Sequence, residues 1–115
     1  MTNYYPFDVK SDDNFTISVA IESDDILEKY GDLFEKYEYE PNGYCWEGHI
    51  TQILEKEDED LLDHLDFDPE AGGFYAYADS KENQLRFVEK LSPIFQNLKT
   101  LENYVKTADR DRIDD

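Results

Sequence analysis

Cys45 and His49 stand four residues apart in a segment whose apolar spacing predicts a helix. Side chains four residues apart lie on one face of a helix, so the thiol and the imidazole would be able to touch. A nucleophilic cysteine also needs a third group that orients the base, and donors that stabilise an oxyanion. The sequence around this pair indicates no oxyanion hole. We therefore interpret Cys45 as a half-buried structural residue and His49 as its incidental neighbour.

Asp66, Asp68 and Glu70 alternate in the way that the first ligands of a calcium-binding loop do. Such a loop needs Gly at its sixth position and Glu at its twelfth. Counting from Asp66, these two positions hold Ala71 and Tyr77. The calcium pattern therefore fails where it matters most. Weak and unspecific binding of divalent cations by the carboxylates is the metal chemistry that remains open.

No other pattern in the sequence indicates catalysis. Glycosidases use two carboxylates at a set separation, but with 29 acids in 115 residues chance pairs are certain. The chain has no Walker loop and no Gly-rich dinucleotide turn, and its two histidines and one cysteine lack the spacing of a zinc site. We therefore expect a protein that is not an enzyme and that carries no cofactor and no resident metal.

The charge of the chain points to the kind of partner instead. Eleven Lys and Arg against 29 Asp and Glu give a formal net charge of −18. Residues 55–70 hold nine acids and one base, whereas residues 79–115 hold eight acids and seven bases. Such a field repels nucleic acid and anionic membranes and speeds encounter with basic protein surfaces. We therefore expect a basic protein partner, no direct nucleic-acid binding and no membrane binding.

The start of the chain and its cysteine content favour a cytoplasmic location. The first eight residues have neither the basic region nor the apolar region of a signal peptide. No apolar run approaches the roughly 20 residues of a membrane span. A single cysteine allows no disulfide within the chain. We expect a cytoplasmic protein that is monomeric when free.

The elements that must position these residues follow from the spacing of the apolar side chains. Strict alternation over residues 15–22 predicts a strand, and a turn at residues 69–72 joins two more strands. Apolar stripes at helical spacing predict the helices. Their expected positions are about residues 25–37, 44–56, 57–65, 80–91 and 98–105, with Pro93 starting a separate short turn.

These elements predict one α+β domain over residues 1–115. Its sheet would be small and mainly antiparallel, with about three strands packed against four to five helices. Aromatic residues make up 15% of the chain, which is enough apolar surface for a packed core. We expect an irregular N-terminal segment at residues 1–14 and a frayed tail at residues 109–115.

Two segments together resemble a known family. They are residues 42–48, which read Asn-Gly-Tyr-Cys-Trp-Glu-Gly, and residues 67–77, which read Phe-Asp-Pro-Glu-Ala-Gly-Gly-Phe-Tyr-Ala-Tyr. This combination resembles the immunity protein 51 family, whose members accompany bacterial polymorphic toxins. The resemblance implies a protein that binds and blocks one cognate toxin domain, and it carries over no active site. It also suggests scaffold roles for Trp46, Phe67, Pro69 and Gly72.

We predict that the toxin binds the acidic run of residues 55–70 together with two tyrosines of the following strand. Tyr is enriched at interface hot spots, and nuclease toxins are basic where they grip phosphates. An acidic mimic of nucleic acid, a general adaptor and a carboxylate hydrolase are the alternatives. The predicted contact residues are Glu55, Glu57, Asp58, Glu59, Asp60, Asp66, Asp68, Glu70, Tyr75 and Tyr77.

Overall fold

A computed structural model describes residues 3–115 and has a four-stranded antiparallel sheet at its centre. The strands lie in the order β1-β2-β4-β3, so that β1 and β3 form the two edges. The α+β class is therefore confirmed, with one strand more than the three we expected. The strands are β1 (Asp8–Val9), β2 (Thr16–Val19), β3 (Leu65–Phe67) and β4 (Phe74–Ala78).

The helices lie in two parts of the chain, between β2 and β3 and after β4. Directly after β2 comes a continuous helical stretch in which a π-helical turn, Leu27–Gly31, separates α1 (Asp24–Ile26) from α2 (Asp32–Lys36). A 3-10 helix, Glu59–His64, leads into β3, and another, Arg110–Arg112, follows the last α-helix. The α-helices are α1 (Asp24–Ile26), α2 (Asp32–Lys36), α3 (Gly43–Glu57), α4 (Lys81–Gln96) and α5 (Leu98–Lys106).

Helix α4 continues through Pro93, so the predicted break at this residue is wrong. Proline removes one backbone hydrogen bond and normally ends or kinks a helix. Here Pro93 lies on the exposed side of α4, while Leu91, Ile94 and Phe95 around it are buried. The buried residues hold the helix in place on both sides of the missing bond.

One face of the sheet packs against α3 and α4 and forms the core. Alternate residues of β2 and β4 point into this core, and they are Ile17, Val19, Phe74, Ala76 and Ala78. Trp46 of α3 is fully buried, as its position on the apolar stripe predicted. Its indole ring contacts aromatic side chains from three directions, namely Tyr30, Phe34 and Phe95.

Both ends of the chain are more regular than we expected. The N-terminal segment contains β1, because the main chain at Asp8 and Val9 pairs with Ser18 and Ile17 of β2. Met1 and Thr2, which belong to the same predicted segment, lie outside the described residues. The expectation of irregular structure over residues 1–14 is therefore wrong at Asp8 and Val9.

The C-terminal segment packs against α3 and the loop before it, so the predicted fraying does not describe it. Ile113 is only 7% exposed and lies against Gly48, where a Cβ would come within 2.9 Å of the Ile113 side chain. The Gln52 side chain hydrogen-bonds both the carbonyl and the amide of Asp109. The Asn42 amide donates to the Asp115 backbone oxygen at 2.9 Å. Apolar burial and these bonds order a segment whose sequence is almost entirely charged.

Candidate functional site

The second face of the sheet carries a ladder of polar and aromatic pairs. In the β3–β4 hairpin Asp66 is paired with Tyr77, and the Asp68 amide donates to the Tyr75 carbonyl at 2.9 Å. The Asp79 amide donates to the His64 carbonyl at 3.1 Å, which continues the register at the other end. These residues alternate with the buried residues of β4, so their side chains point away from the core. We call this surface the outer sheet face; its residues are Asp8, Lys10, His64, Asp66, Asp68, Glu70, Tyr75, Tyr77 and Asp79.

Tyr75 and Tyr77 form the centre of the outer sheet face. The register places them opposite Ser18 and Thr16 of β2, whose side chains are only 6% and 5% exposed. The tyrosines themselves are half-buried. The ring of Tyr75 lies over Gly73, where a Cβ would come within 2.8 Å of a ring carbon. Gly73 therefore leaves room for the Tyr75 ring, and both tyrosines remain partly exposed to solvent.

The carboxylates around these tyrosines have no cationic partner. Within residues 3–115, no Lys, Arg or His nitrogen lies within 4.0 Å of a carboxylate oxygen of Asp66, Asp68 or Glu70. The Tyr77 hydroxyl donates to Asp68 at 3.4 Å. Partial burial raises the pKa of Tyr77, and Asp68 raises it further. The outer sheet face therefore presents uncompensated negative charge around two aromatic rings.

The acids on the helical side of the molecule differ, because arginines neutralise them. Both carboxylate oxygens of Asp58 accept from Arg86, at 2.8 and 2.5 Å, and both of Glu55 accept from Arg112, at 2.9 and 2.6 Å. These bidentate pairs lower the pKa values of both carboxyl groups. Such charge-assisted bonds are shorter and stronger than bonds between neutral groups. Asp58 and Glu55 are therefore committed to contacts within the chain.

The remaining predicted acids of this region also lie near α3 and the 3-10 helix. Glu57 accepts a hydrogen bond from the Tyr104 hydroxyl at 2.7 Å. Asp60 lies 3.4 Å from Arg86 and 3.8 Å from His64, and Glu59 is exposed. The structure thus divides the predicted contact residues into two groups. It brings together Asp66, Asp68, Glu70, Tyr75 and Tyr77, and it places Glu55, Glu57, Asp58, Glu59 and Asp60 elsewhere.

The sequence analysis missed four residues of the outer sheet face, namely Asp8, Lys10, His64 and Asp79. His64 Nδ1 lies 2.6 Å from an oxygen of Asp79, whose other oxygen accepts from the Asn83 amide at 2.7 Å. The hydrogen bond with Asp79 raises the pKa of His64. Continuing the alternation of side chains two residues before Asp66 and two residues after Tyr77 would have found His64 and Asp79.

Cys45 and His49 are closed off from solvent. Their side chains are 0% and 1% exposed, so Cys45 is more deeply buried than the half-buried residue we expected. Burial raises the pKa of the Cys45 thiol and lowers that of His49 to about 4. His49 stacks on Phe34 at 4.9 Å and meets the edge of Tyr39 at 4.6 Å. A neutral thiol and a neutral imidazole inside an aromatic core are typical of packing residues.

The structure offers no obvious place for a metal ion or a membrane-spanning segment. Among residues 3–115, no group of three or more His, Cys, Asp or Glu side chains is arranged to hold a metal. In the same part of the chain, every helix is too short or too polar to cross a bilayer.

The two sequence segments that carry the family resemblance contact each other. The Gly43 amide, at the start of α3, donates to the Glu70 carbonyl in the β3–β4 turn at 3.0 Å. A Cβ on Gly43 would lie 2.1 Å from that oxygen and 2.2 Å from the Gly73 carbonyl oxygen. The scaffold roles suggested for Trp46, Phe67, Pro69 and Gly72 stay a prediction, and the residue that brings the main chain of α3 against the hairpin is Gly43. Glycine is required there because main chain meets main chain.

Comparison with known proteins agrees with this reading of the two segments. The family model described as Immunity protein 51 matches residues 7–110, which is most of the chain. No curated protein and no solved structure gave a match. The matched region includes the whole sheet, α3 and the hairpin that Gly43 contacts. The chain therefore belongs to the immunity protein 51 family.

Proposed function

We propose that this protein binds one cognate toxin domain in the bacterial cytoplasm and neutralises it by covering its working surface with the outer sheet face. Membership of an immunity protein family supports the neutralising role. The observation that carries the choice of surface is the set of unpaired carboxylates around Tyr75 and Tyr77. This proposal keeps Asp66, Asp68, Glu70, Tyr75 and Tyr77 of the predicted contact residues and leaves out the acids of residues 55–60.

The distribution of pairing supports this choice of surface. A carboxylate that already accepts two bonds from an arginine must lose them before it can bind a new cation. Asp58 and Glu55 are in this position, whereas Asp66 and Asp68 are not. Unpaired surface charge steers a basic partner and raises the association rate without any rearrangement. The outer sheet face therefore attracts a basic toxin more effectively than the α3 side does.

The tyrosines would supply the contacts that keep the complex together after the first encounter and so slow its dissociation. The Tyr75 ring packs over Gly73, and the Tyr77 hydroxyl donates to Asp68, before any partner arrives. A preordered aromatic side chain loses little conformational entropy on binding. Interface energy is typically concentrated in a few such residues near the centre of the contact. We therefore propose that the acids set the association rate and that the tyrosines set the dissociation rate.

The proposed partner is a basic toxin domain, with a nuclease as the favoured class. A nuclease holds its substrate through a cationic surface, and an acidic protein can occupy that surface. An interface of usual size covers about 800 Å² on each partner, which a small sheet face and its rim can provide. The charge of the chain supports a basic target in general, and the nuclease assignment follows from that charge alone.

The proposal is tested by measuring association with the toxin domain encoded beside this protein, at two salt concentrations. The variant D66N/D68N removes two unpaired carboxylates, and E28Q/E35Q removes two exposed carboxylates, one in the π-helical turn and one in α2, as a charge-matched control. We expect D66N/D68N to slow association several-fold and the control to have a much smaller effect. Equal slowing by both variants would show that only net charge matters and would overturn the assigned face.

A second pair of variants separates the two acidic groups. Neutralising Glu57, Asp58, Glu59 and Asp60 together tests our first expectation for the interface. We expect this change to leave the association rate closer to wild type than D66N/D68N does. Y75A/Y77A should instead speed dissociation about tenfold or more, because interface variants act mainly on dissociation. Loss of growth rescue on co-expression with the toxin is the functional readout for each variant.

The same measurements distinguish the alternatives. An acidic mimic of nucleic acid would bind several unrelated basic proteins and would lose them all as salt is raised. A general adaptor would bind without relieving toxicity. The immunity function predicts one partner, growth rescue, and binding that survives raised salt because the tyrosines remain.

A further inference from the structure

Strand β3 is an edge strand with free backbone groups. It pairs with β4 on one side, and within residues 3–115 no strand pairs with its other side. The Asp68 amide and the His64 carbonyl point toward β4, so the alternate residues Leu65 and Phe67 point their backbone groups outward. The Leu65 amide is satisfied by the Leu62 carbonyl. The Leu65 carbonyl and both backbone groups of Phe67 are left facing outward.

The side chains of β3 have a definite pattern around these free groups. Asp66 and Asp68 flank Phe67 on the outer sheet face and are exposed. Leu65 and Phe67 point to the inner side, where they are half-buried and pack against the core. A strand added to this edge would therefore meet carboxylates on one face and apolar side chains on the other.

This pattern discourages one kind of partner and favours another. Like charges directly opposite each other in adjacent strands are destabilising, and charged edges protect sheets from pairing with copies of themselves. A second copy of this chain would place Asp66 and Asp68 against the same two acids. A strand with basic residues at alternate positions would place unlike charges opposite each other at a Cβ separation of about 5 Å.

The other edge of the sheet does not offer the same combination. Strand β1 has two residues, and Pro6, which lacks an amide hydrogen, lies just before it. The Lys10 amide donates to the Thr16 carbonyl at 3.0 Å, so the register continues and places Lys10 on the outer sheet face. Lys10 offsets the exposed Asp8 carboxylate there, so this edge lacks the uncompensated acids that lie along β3. The charge distribution therefore selects β3.

We infer that the toxin partner adds an extended strand to the free edge of β3, with basic side chains beside Asp66 and Asp68 and apolar side chains beside Leu65 and Phe67. This inference rests on the proposed function and names the chemistry of the partner segment. Main-chain hydrogen bonds would provide the pairing, and the alternating side chains would provide the selectivity. Pro69 lacks an amide hydrogen and follows directly, so the pairing is short.

The register defines a peptide that tests the inference. The probe is the capped peptide Lys-Val-Lys-Val-Lys, which alternates basic and apolar residues. Its control is the same peptide with both valines N-methylated, which keeps the charge but removes the amide hydrogens that would face the Phe67 carbonyl. Each is titrated into the full ¹⁵N-labelled protein, and the shift and hydrogen exchange of the Phe67 amide are followed.

We expect the unmodified peptide to slow exchange of the Phe67 amide about tenfold or more at saturation. The N-methylated peptide should leave this exchange rate unchanged. D66N/D68N should weaken the effect of the unmodified peptide, while E28Q/E35Q should not. Equal effects of both peptides, or no protection of Phe67 at millimolar peptide, would overturn strand addition.

Failure of this inference can be told apart from failure of the proposed function. If the peptide does not protect Phe67 but D66N/D68N still slows toxin association, strand addition is wrong and the outer sheet face stands. If D66N/D68N associates with the toxin as fast as wild type, the assigned face itself is wrong. Protection of the Phe67 amide in the complex with the toxin domain would extend the peptide result to the natural partner.

Discussion

At the scale of single residues, the buried imidazole of His49 links stability to pH. The ring lies between Phe34 and Tyr39, and its Nε2 has no hydrogen-bond partner within residues 3–115. Burial disfavours the charged imidazole more than the Asp115 carboxylate stabilises it, so the folded protein keeps the ring neutral. The unfolded chain places no such restriction on it.

We expect acid to destabilise the protein through His49. Burial lowers the pKa of His49 from its ordinary 6.5 to about 4, so between these values the unfolded chain binds a proton that the folded protein does not. The contribution of neutral His49 to the free energy of unfolding should therefore be complete above pH 6.5. It should decrease by up to about 3 kcal/mol as the pH falls toward 4. Denaturant unfolding of wild type and His49→Phe across this range measures the effect.

The difference between the two proteins isolates His49 from the other groups. His64 has a raised pKa, so its contribution has the opposite sign: it is present below pH 6.5 and is lost as the pH rises through the folded-state value. Both proteins share this contribution. Parallel curves for wild type and His49→Phe between pH 6.5 and 5 would contradict the prediction.

Asp58 gives a second prediction at this scale. Its side chain is 13% exposed, and its two oxygens are occupied by Arg86. Arg86→Met would leave a nearly buried carboxylate without its cation, which is costly. We expect a clear fall in the midpoint of thermal unfolding, and little change for Lys90→Met on the same helix. If D58N/R86M is no more stable than Arg86→Met alone, the cost does not come from the stranded carboxylate.

At the scale of elements, the contact between α3 and the β3–β4 hairpin positions the proposed interface relative to the helices. Gly43 fixes the start of α3 against the turn that carries Glu70, and that turn sets the position of Tyr75. This contact therefore fixes the hairpin, and with it the outer sheet face, relative to α3. Main chain meets main chain at Gly43, so a larger side chain could not be accommodated there.

Gly43→Ala should destabilise the protein because the new methyl group would overlap two backbone oxygens. We expect a loss of about 2–3 kcal/mol or more in the free energy of unfolding. Gly31→Ala is the matched control, since its Cβ would meet only side chains at 3.5 Å or beyond and Ala favours helix. That variant should be neutral or stabilising by up to about 1 kcal/mol. Similar losses for both variants would refute the backbone contact as the cause.

Much of the element pattern could be predicted from sequence, and its omissions have physical causes. The strands β2 and β4 and the helix α3 have clear periods, and they were found with small errors at their ends. The strand β1 has only two residues, which is too short for an alternating pattern to be seen. The break at Pro93 was predicted because proline cannot donate a backbone hydrogen bond, but the buried residues around it keep the helix continuous. The sequence predicts a frayed tail because it holds one apolar residue, Ile113. The packing of Ile113 against Gly48 cannot be inferred from the local sequence.

The candidate site was predicted only in part, for a related reason. Asp66, Asp68, Tyr75 and Tyr77 are close in sequence and share a period of two, so their common face follows from the hairpin. The pairing of Asp58 with Arg86 and of Glu55 with Arg112 spans 28 and 57 residues. Contacts over such separations cannot be obtained from local pattern, and they decide which acids remain free.

At the scale of the whole molecule, the net charge of −18 works against the compact state. Raising NaCl from 0.1 to 1 M shortens the screening length from about 10 to about 3 Å. We expect the midpoint of thermal unfolding to rise by roughly 4 °C for each 1 kcal/mol of repulsion removed. The variant E28Q/E35Q should show a smaller rise than wild type. A midpoint that falls with salt would mean that internal ion pairs outweigh the repulsion.

The central position of β4 also has a consequence for timing. Its partner β2 lies almost sixty residues earlier in the chain, so the ribosome must release residues up to Ala78 before the sheet can close. At about 5–20 residues per second, synthesis of all 115 residues takes roughly 6–23 s. Closure of the sheet, and with it formation of the outer sheet face, therefore comes late in synthesis, after about two thirds of the 115 residues have been made.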